Sequence, residues 1–565
     1  MSGFVVTYRP SSEPPSSDNS AAASRLDVDI DISGAGVERL TTNRNHIALI
    51  DGYALGVSSQ RLVAALESHD DEFLSGVHGN YCVLVIRPDG NMQGYCDRFG
   101  AKTLYWQVTQ QHGIKISSRW PSMPVFERQW DDLGLAEMLR YRCMSGQNTL
   151  ITGVSKLPNW QRVSIARNGE ISVHKTAQQP EWPTNIPAVP FGEKLDETRS
   201  ALTNVLGEVA QSYDNAAIFL SGGVDSSLLA ALSKSCFKKC LLVSAEFPGE
   251  NNPELDTARS FAKTLQLEHL IVEIDQSRLE QDLRYLTAAK GGQINFHSLA
   301  IHQMVKAIPT DYQVLIHGES ADTLFGSGDF KQTEMYLRWK QYANFLPAFG
   351  WEWISRLPIH RVKKLCRLMQ ASKLDVTLQK LQIQYDPQSK EIIRNLYNAR
   401  LDDLYAHQAV VTFWSTSDAE LRGMLQDLTL ACLSANHFRE ADLSATQFGK
   451  HVLIPYLAKP VVNAAKGLTR GQYFGTDSVK PILRELACEH FERESIYKKK
   501  RGFEVPVFSW LNGPLANLVK GVREERYLFD GRLLSGLDVE PHYSLFWTLI
   551  CWQMVNDHIT NKSGA

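Results

Sequence analysis

Residues 217–232 read AIFLSGGVDSSLLAAL. An apolar run ends at Leu220, the string Ser221-Gly222-Gly223-Val224-Asp225-Ser226-Ser227 follows, and a second apolar run begins at Leu228. The first run predicts a buried strand over 215–220, the second a helix over about 225–235. Between them, two glycines allow a tight turn and a close approach of backbone to ligand. Free N–H groups at a helix start, with small hydroxyls beside them, suit an anion such as pyrophosphate. Asp225 is out of place beside bare phosphate, but it makes sense holding a Mg2+ ion that bridges phosphate oxygens. The string is neither GxxxxGK followed by Ser or Thr nor GxGxxG, which excludes the two commonest nucleotide loops. A plainer alternative is a strand-to-helix turn with Asp225 or Ser226 as its N-cap.

Outward from this loop the texture is regular. Strands are expected at 240–245, 268–273 and 312–316, with a helix at 253–265 and further helices to about 308. Such alternation implies an α/β domain, a parallel sheet covered by helices on both faces. Beyond about 331 the pattern is mostly helical. Upstream, Pro180, Pro183, Pro187 and Pro190 mark a linker over 177–194, because proline fixes φ and removes a backbone donor. Before it, residues 28–176 read as a β-rich domain. Strands are expected at 46–50, 80–86, 103–108 and 161–166, with a few helices, a short one at 59–68 among them. Residues 1–27, which include RPSSEPPSSDNSAAAS at 9–24, read as disordered.

Composition narrows the classes. The 565 residues are 43% hydrophobic and 21% charged, which fits a soluble globular chain of two or three domains. A net charge of −3 gives no electrostatic case for nucleic acid or an anionic membrane. The nine cysteines are scattered outside any CxxC spacing, which argues against a disulfide framework or structural zinc. No apolar run approaches the ~18 residues that span a bilayer. The start, MSGFVVTYRP, lacks the apolar core of a signal peptide, so a cytoplasmic location is expected.

Further motifs sharpen the reading. SGGVDSS resembles the PP-loop of ATP pyrophosphatases, which cleave ATP between its α and β phosphates. The chain as a whole, over about 46–515, resembles the asparagine synthetase family. Gly79-Asn80-Tyr81 and the hairpin Asp97-Arg98-Phe99-Gly100-Ala101-Lys102-Thr103-Leu104-Tyr105-Trp106 are similar to motifs of its first domain. In the second, ELDTARSFAKTLQLEH (254–269), His317-Gly318-Glu319-Ser320-Ala321-Asp322-Thr323-Leu324-Phe325-Gly326 and Lys500-Arg501-Gly502-Phe503-Glu504-Val505-Pro506 follow the family's order.

The resemblance implies a degenerate Ntn-amidotransferase-like domain at 28–176 and a PP-loop synthetase domain, adenine nucleotide α-hydrolase-like, at 195–565. It implies ATP and Mg2+. Leu220, Ser221, Gly222, Gly223, Asp225, Ser226, Ala245, His317 and Gly318 are then expected around ATP, with Asp225 and Asp322 on the metal. Lys500 is expected to neutralise departing pyrophosphate, and Glu319 to accept or orient a proton of the amine. The alternatives stay open: Asp322 as an N-cap, Glu319 as a surface carboxylate, and Lys498 and Lys499 as a solvated face.

Departures from the family decide the chemistry. Asparagine synthetases begin Met-Cys and use that cysteine to hydrolyse glutamine. Here Ser2 and Gly3 follow Met1, and no cysteine precedes Cys82. The family's early R-G-P-D segment is also missing. The stretch READLSATQFGKHVLIPYL (439–457) lacks the family's Glu and Arg, which puts aspartate in doubt as the acid. An amine from a source other than glutamine is expected, as in the lasso-peptide macrolactam cyclases and β-lactam synthetases that this chain resembles. The substrate is then a small molecule or peptide bearing a carboxylate and an amine. A biosynthetic peptidase or leader-peptide-binding protein is the partner that the lasso resemblance implies. The rivals are an amide synthetase joining two separate molecules, a tRNA-modifying PP-loop enzyme and a non-catalytic binding protein.

Overall fold

The computed structural model of the chain describes residues 3–343 apart from 10–27, 121–129, 177–181, 183–188 and shorter breaks, and 422–561 with breaks that include 499–504. Its first part holds two antiparallel sheets. One, in the order β2-β1-β8-β7-β9, contains Gly3–Tyr8 (β1), Val28–Ser33 (β2), Tyr105–Thr109 (β7), Gly113–Ser117 (β8) and Val154–Lys156 (β9). The other, β11-β10-β6-β5-β4-β3, contains Val37–Thr41 (β3), Ile47–Ala54 (β4), Gly79–Ile86 (β5), Met92–Cys96 (β6), Gln161–Ile165 (β10) and Ile171–Lys175 (β11). Phe4, Val6, Ile114 and Ile116 of the first sheet pack against Leu49, Leu84, Met92 and Val163 of the second. Alternate residues of β4 and β5, among them Ile50, Val83 and Val85, turn to the far face, where Ser59–Ser68 (α1) covers them with Leu62 and Leu66.

Two expectations are corrected here. The segment Gly3–Tyr8, expected within a disordered start, is a strand paired on both edges, with β2 and with β8. Its alternating Phe4, Val6 and Tyr8 are fully buried, and that burial outweighs the Ser/Pro-rich sequence that follows. The linker expected over 177–194 is already helical at its end, because Phe191–Ala210 (α2) starts directly after Pro190.

The second part is built on a parallel sheet in the order β14-β13-β12-β15-β16. Its strands are Asn215–Phe219 (β12), Lys239–Glu246 (β13), Glu268–Glu273 (β14), Val314–Ile316 (β15) and His451–Leu453 (β16). Ala216, Ile218 and Ile316 face one core with α2 and Val224–Cys236 (α3). Between β13 and β14 the chain forms Pro253–Leu265 (α4). Ala217, Leu241 and Leu315 face another core with Leu279–Lys290 (α5) and His297–Ala307 (α6). Burial on both faces explains why these strands are apolar without alternation. The chain runs outward from β12 to β14 and then returns to β15 on the other side of β12. That reversal makes a switch point at the carboxyl ends of β12 and β15, where open α/β sheets bind ligands. Strand β16 was not expected; its three residues complete the sheet from a point more than a hundred residues downstream. Residues 344–421, expected to be mostly helical, lie outside the described residues. No described helix is long and apolar enough to cross a membrane.

Candidate active site

The glycine loop sits at the switch point. Gly222 has φ +82°, and a Cβ there would lie 2.3 Å from the Glu254 carbonyl oxygen. Glycine is therefore required on two counts, conformation and space. Gly222→Ala is expected to destabilise the fold by about 1–3 kcal/mol from backbone strain alone. Thermal melting checks this, and an unchanged melting temperature would refute it. Helix α3 starts after Gly223 with no side-chain cap, which sets aside the N-cap reading of Asp225 and Ser226. The loop's hydroxyls brace it instead. Ser226 Oγ accepts from the Ser221 N–H at 3.2 Å, and Ser227 Oγ donates to the Gly223 carbonyl at 2.7 Å.

Facing this loop is the turn after β15, which leads into Ala321–Phe325 (α7). The backbones approach closely: a Cβ on Gly318 would lie 3.5 Å from the Ser226 nitrogen. Asp322 falls in the first turn of α7, but Ser320 occupies the cap position, so the N-cap alternative falls away. Between the two loops lies a cavity of about 340 Å³. Leu220, Ser221, Asp225, Ser226, Ala245, His317, Gly318, Glu319 and Asp322 all line it. Gly222 and Gly223 are not among the residues that line it. Lys500 lies outside the described residues.

A residue that sequence reasoning missed joins the two carboxylates. Lys480 Nζ lies 2.6 Å from Asp225 Oδ2 and 2.7 Å from Asp322 Oδ1. Its side chain is only 3% exposed. Lys480 has left-handed backbone (φ +60°) and leads directly into the helix Pro481–Cys488. Nothing local singles it out in the sequence; only the fold brings it to a loop 255 residues away.

On the far wall, Glu319 is not a plain surface carboxylate. Its Oε2 lies 3.4 Å from His437 Nδ1, and its N–H donates to His317 Nδ1 at 3.1 Å. Burial acts to raise the Glu319 carboxyl, but the His437 and His317 imidazoles outweigh it and hold it down at about 2. Burial likewise works against a charge on His437, yet the Glu319 carboxylate outweighs it and raises the imidazole. Asn295 Oδ1 accepts the His297 N–H at 3.0 Å, so its amide nitrogen, 2.8 Å from His437 Nε2, is the donor there. His437 thus presents Nδ1–H to Glu319. His437 and Asn295 were also missed; neither belongs to a recognisable spacing.

A parallel α/β sheet with this glycine loop at its switch point defines a PP-loop nucleotide-binding enzyme. A sequence model of the family described as asparagine synthase matches residues 197–563, and the chain belongs to that family. It is thereby an ATP-dependent carbon–nitrogen ligase. Asparagine synthetase [glutamine-hydrolyzing] 1 of Bacillus subtilis (strain 168) is 22% identical over 485 residues, covering 84% of this chain and 75% of that protein. Among solved structures, an NH3-dependent NAD synthetase from Campylobacter jejuni aligns with 40% of this chain and 96% of its own at 17% identity and a TM-score of 0.20. A glutamine-dependent NAD+ synthetase from Acinetobacter baumannii aligns with 47% of this chain and 59% of its own, at 14% identity and a TM-score of 0.20.

Proposed function

We propose that the chain adenylates a carboxylate with ATP and condenses it with an amine whose nitrogen does not come from glutamine, in natural-product biosynthesis, favouring lactam or macrolactam closure. The observation that carries this reading is the convergence of Asp225, Asp322 and Glu319 on one cavity. The donor set suits Mg2+, which is commonly held by one or two carboxylates while phosphate oxygens and water complete its shell. Among the described residues no group of three His, Cys, Asp or Glu could hold a metal without such help. Asp225 and Asp322 would hold the ion, which when bound neutralises phosphate charge.

Two steps follow. The substrate carboxylate attacks the α-phosphorus of ATP; the bond to the bridging oxygen breaks, and pyrophosphate leaves with that electron pair. The N–H groups at the start of α3 hold the phosphates, and Lys480, like Lys500 in the family resemblance, offsets the charge that departs. The amine then attacks the acyl carbon, AMP leaves, and the amine gives up a proton. Glu319 receives or orients it. The contact from His437 Nδ1 to Glu319 Oε2 holds the carboxylate in place for that role. Glu319→Gln is expected to slow amide formation by about 10²-fold. Exchange of labelled pyrophosphate into ATP, which reports only the first step, should stay near the native rate. Equal loss of both would remove Glu319 from the second step.

An amine source other than glutamine is supported by the two thiols of the first domain that lie among the described residues. Cys82 and Cys96 are buried, and burial pushes both well above the ordinary thiol range, so neither is a ready nucleophile. Ring closure rests on the resemblance to lasso-peptide cyclases and β-lactam synthetases; an amide synthetase joining two separate molecules is the alternative. The test is to supply ATP, Mg2+ and fractionated small molecules and peptides from the host, and to measure AMP and pyrophosphate. A fraction that triggers both supports the ligase reading. In that fraction, loss of one water from a single molecule marks ring closure, and a joined product marks the alternative. Release of ADP, or no turnover with any fraction, sinks the proposal.

A further inference from the structure

The first domain touches the second through a buried polar cluster that the chemistry above does not use. Lys102 Nζ lies 3.2 Å from Asp51 Oδ1 in its own domain and 3.2 Å from Asp442 Oδ2 in the other. The other oxygen of Asp442 accepts from Asn80 Nδ2 at 2.9 Å. Tyr53 adds a third link, for its hydroxyl accepts the Val452 N–H of β16 at 2.6 Å. The turn that presents Lys102 is itself tied down, because the Asp97 carboxylate accepts the N–H groups of Phe99, Ala101 and Lys102. The side chains of Asp51 and Asp442 are at most 4% exposed, so these contacts act where water does not screen them.

Asp442 belongs to Arg439–Gln447 (α8), which continues a wider turn at Ser434–Phe438 that carries His437. The opposite side of this helix grips the cavity wall. Glu440 pairs with Lys290 Nζ at 2.5 Å, accepts the Asn295 N–H at 2.9 Å and takes a hydrogen bond from Ser298 Oγ. Asn295 in turn orients His437, which orients Glu319. One short helix is therefore held by the first domain on one face and holds the amine side of the cavity on the other.

We propose that the first domain acts as a positioning element for the synthetase reaction, and that Lys102 and Asp442 are positioning residues acting through α8 on Asn295, His437 and Glu319. A domain with no glutamine to hydrolyse then has a reason to be kept. The proposal rests on the ligase reading for the reaction that it affects, but the geometry that it claims does not.

Asp442→Asn in the full chain is the test. It removes one of two carboxylates and leaves Lys102 paired with Asp51, so no buried ammonium is stranded. Hydrogen exchange, without ligand, is expected to quicken by about tenfold or more in 434–447 and 290–298 and to stay unchanged in 215–236. With a fraction that activates the native enzyme, kcat for AMP release should fall by about tenfold or more while KM for ATP stays near native. Exchange that quickens throughout both domains, or nowhere, overturns the proposal; so does a local change that leaves kcat intact. If the native enzyme releases no AMP with any fraction, the ligase reading fails, and the exchange pattern still decides whether the first domain holds the wall.

Discussion

Asp225→Ala is expected to abolish substrate-dependent AMP release, by at least about 10³-fold, since a metal-held phosphoryl group draws several kcal/mol of charge stabilisation and each 1.36 kcal/mol is a factor of ten. The residue stands in the first turn of α3, buried, with one oxygen on Lys480 and its backbone carbonyl accepting from the Tyr456 hydroxyl at 3.0 Å. That setting fixes the carboxylate where the phosphates of ATP are expected. Alanine removes the carboxylate proposed to hold the metal and leaves the Lys480 ammonium paired with Asp322. Asp225→Asn keeps the volume and should show a similar loss of rate with less loss of stability. Measuring both variants, with thermal melting alongside AMP release, separates chemistry from folding. Native turnover in either folded variant would mean that Asp225 holds no metal and that the loop binds ATP in another way.

How much of this was legible in sequence depends on how local each signal is. The loop from Ser221 to Ser227 carried its own meaning, because the strand, the two glycines and the helix start are adjacent in the chain. Helices Ser59–Ser68 and Pro253–Leu265 matched their expected bounds, since capping residues and apolar spacing are also local. Strand β1 was hidden: six residues before a Ser/Pro-rich stretch carry little pattern, and only pairing with β2 and β8 makes them a strand. Strand β16 is shorter still and gains its place from β15. Among site residues, Asp225, Glu319 and Asp322 stood in recognisable strings. Lys480, His437 and Asn295 did not, because each works through a partner far away in the chain. A lysine beside a proline means nothing until the fold sets two carboxylates around its ammonium.

Lys480→Met is the second variant with a large expected effect, and its sign differs between two measurements. In the ligand-free chain the ammonium compensates Asp225 and Asp322 at 2.6 and 2.7 Å, and its removal takes that positive charge from both carboxylates. Breaking a buried pair commonly costs about 3–5 kcal/mol. Here the loss should fall below that range, because the Asp322 side chain is 56% exposed and water screens its half of the pair. The same change makes the pair of carboxylates a better host for a divalent cation, since the Lys480 ammonium no longer competes for their oxygens. Mg2+ alone, without ATP, should therefore raise the melting temperature of Lys480→Met more than that of the native chain. AMP release should nevertheless fall by about 10²-fold or more, because a fixed positive charge beside departing pyrophosphate is gone. A variant that loses rate but shows no added response to Mg2+ would keep Lys480 in the reaction and remove the two aspartates as metal ligands. A variant with native rate would make Lys480 a structural counter-ion, and the charge that offsets pyrophosphate would then have to come from elsewhere, with Lys500 the next residue to test.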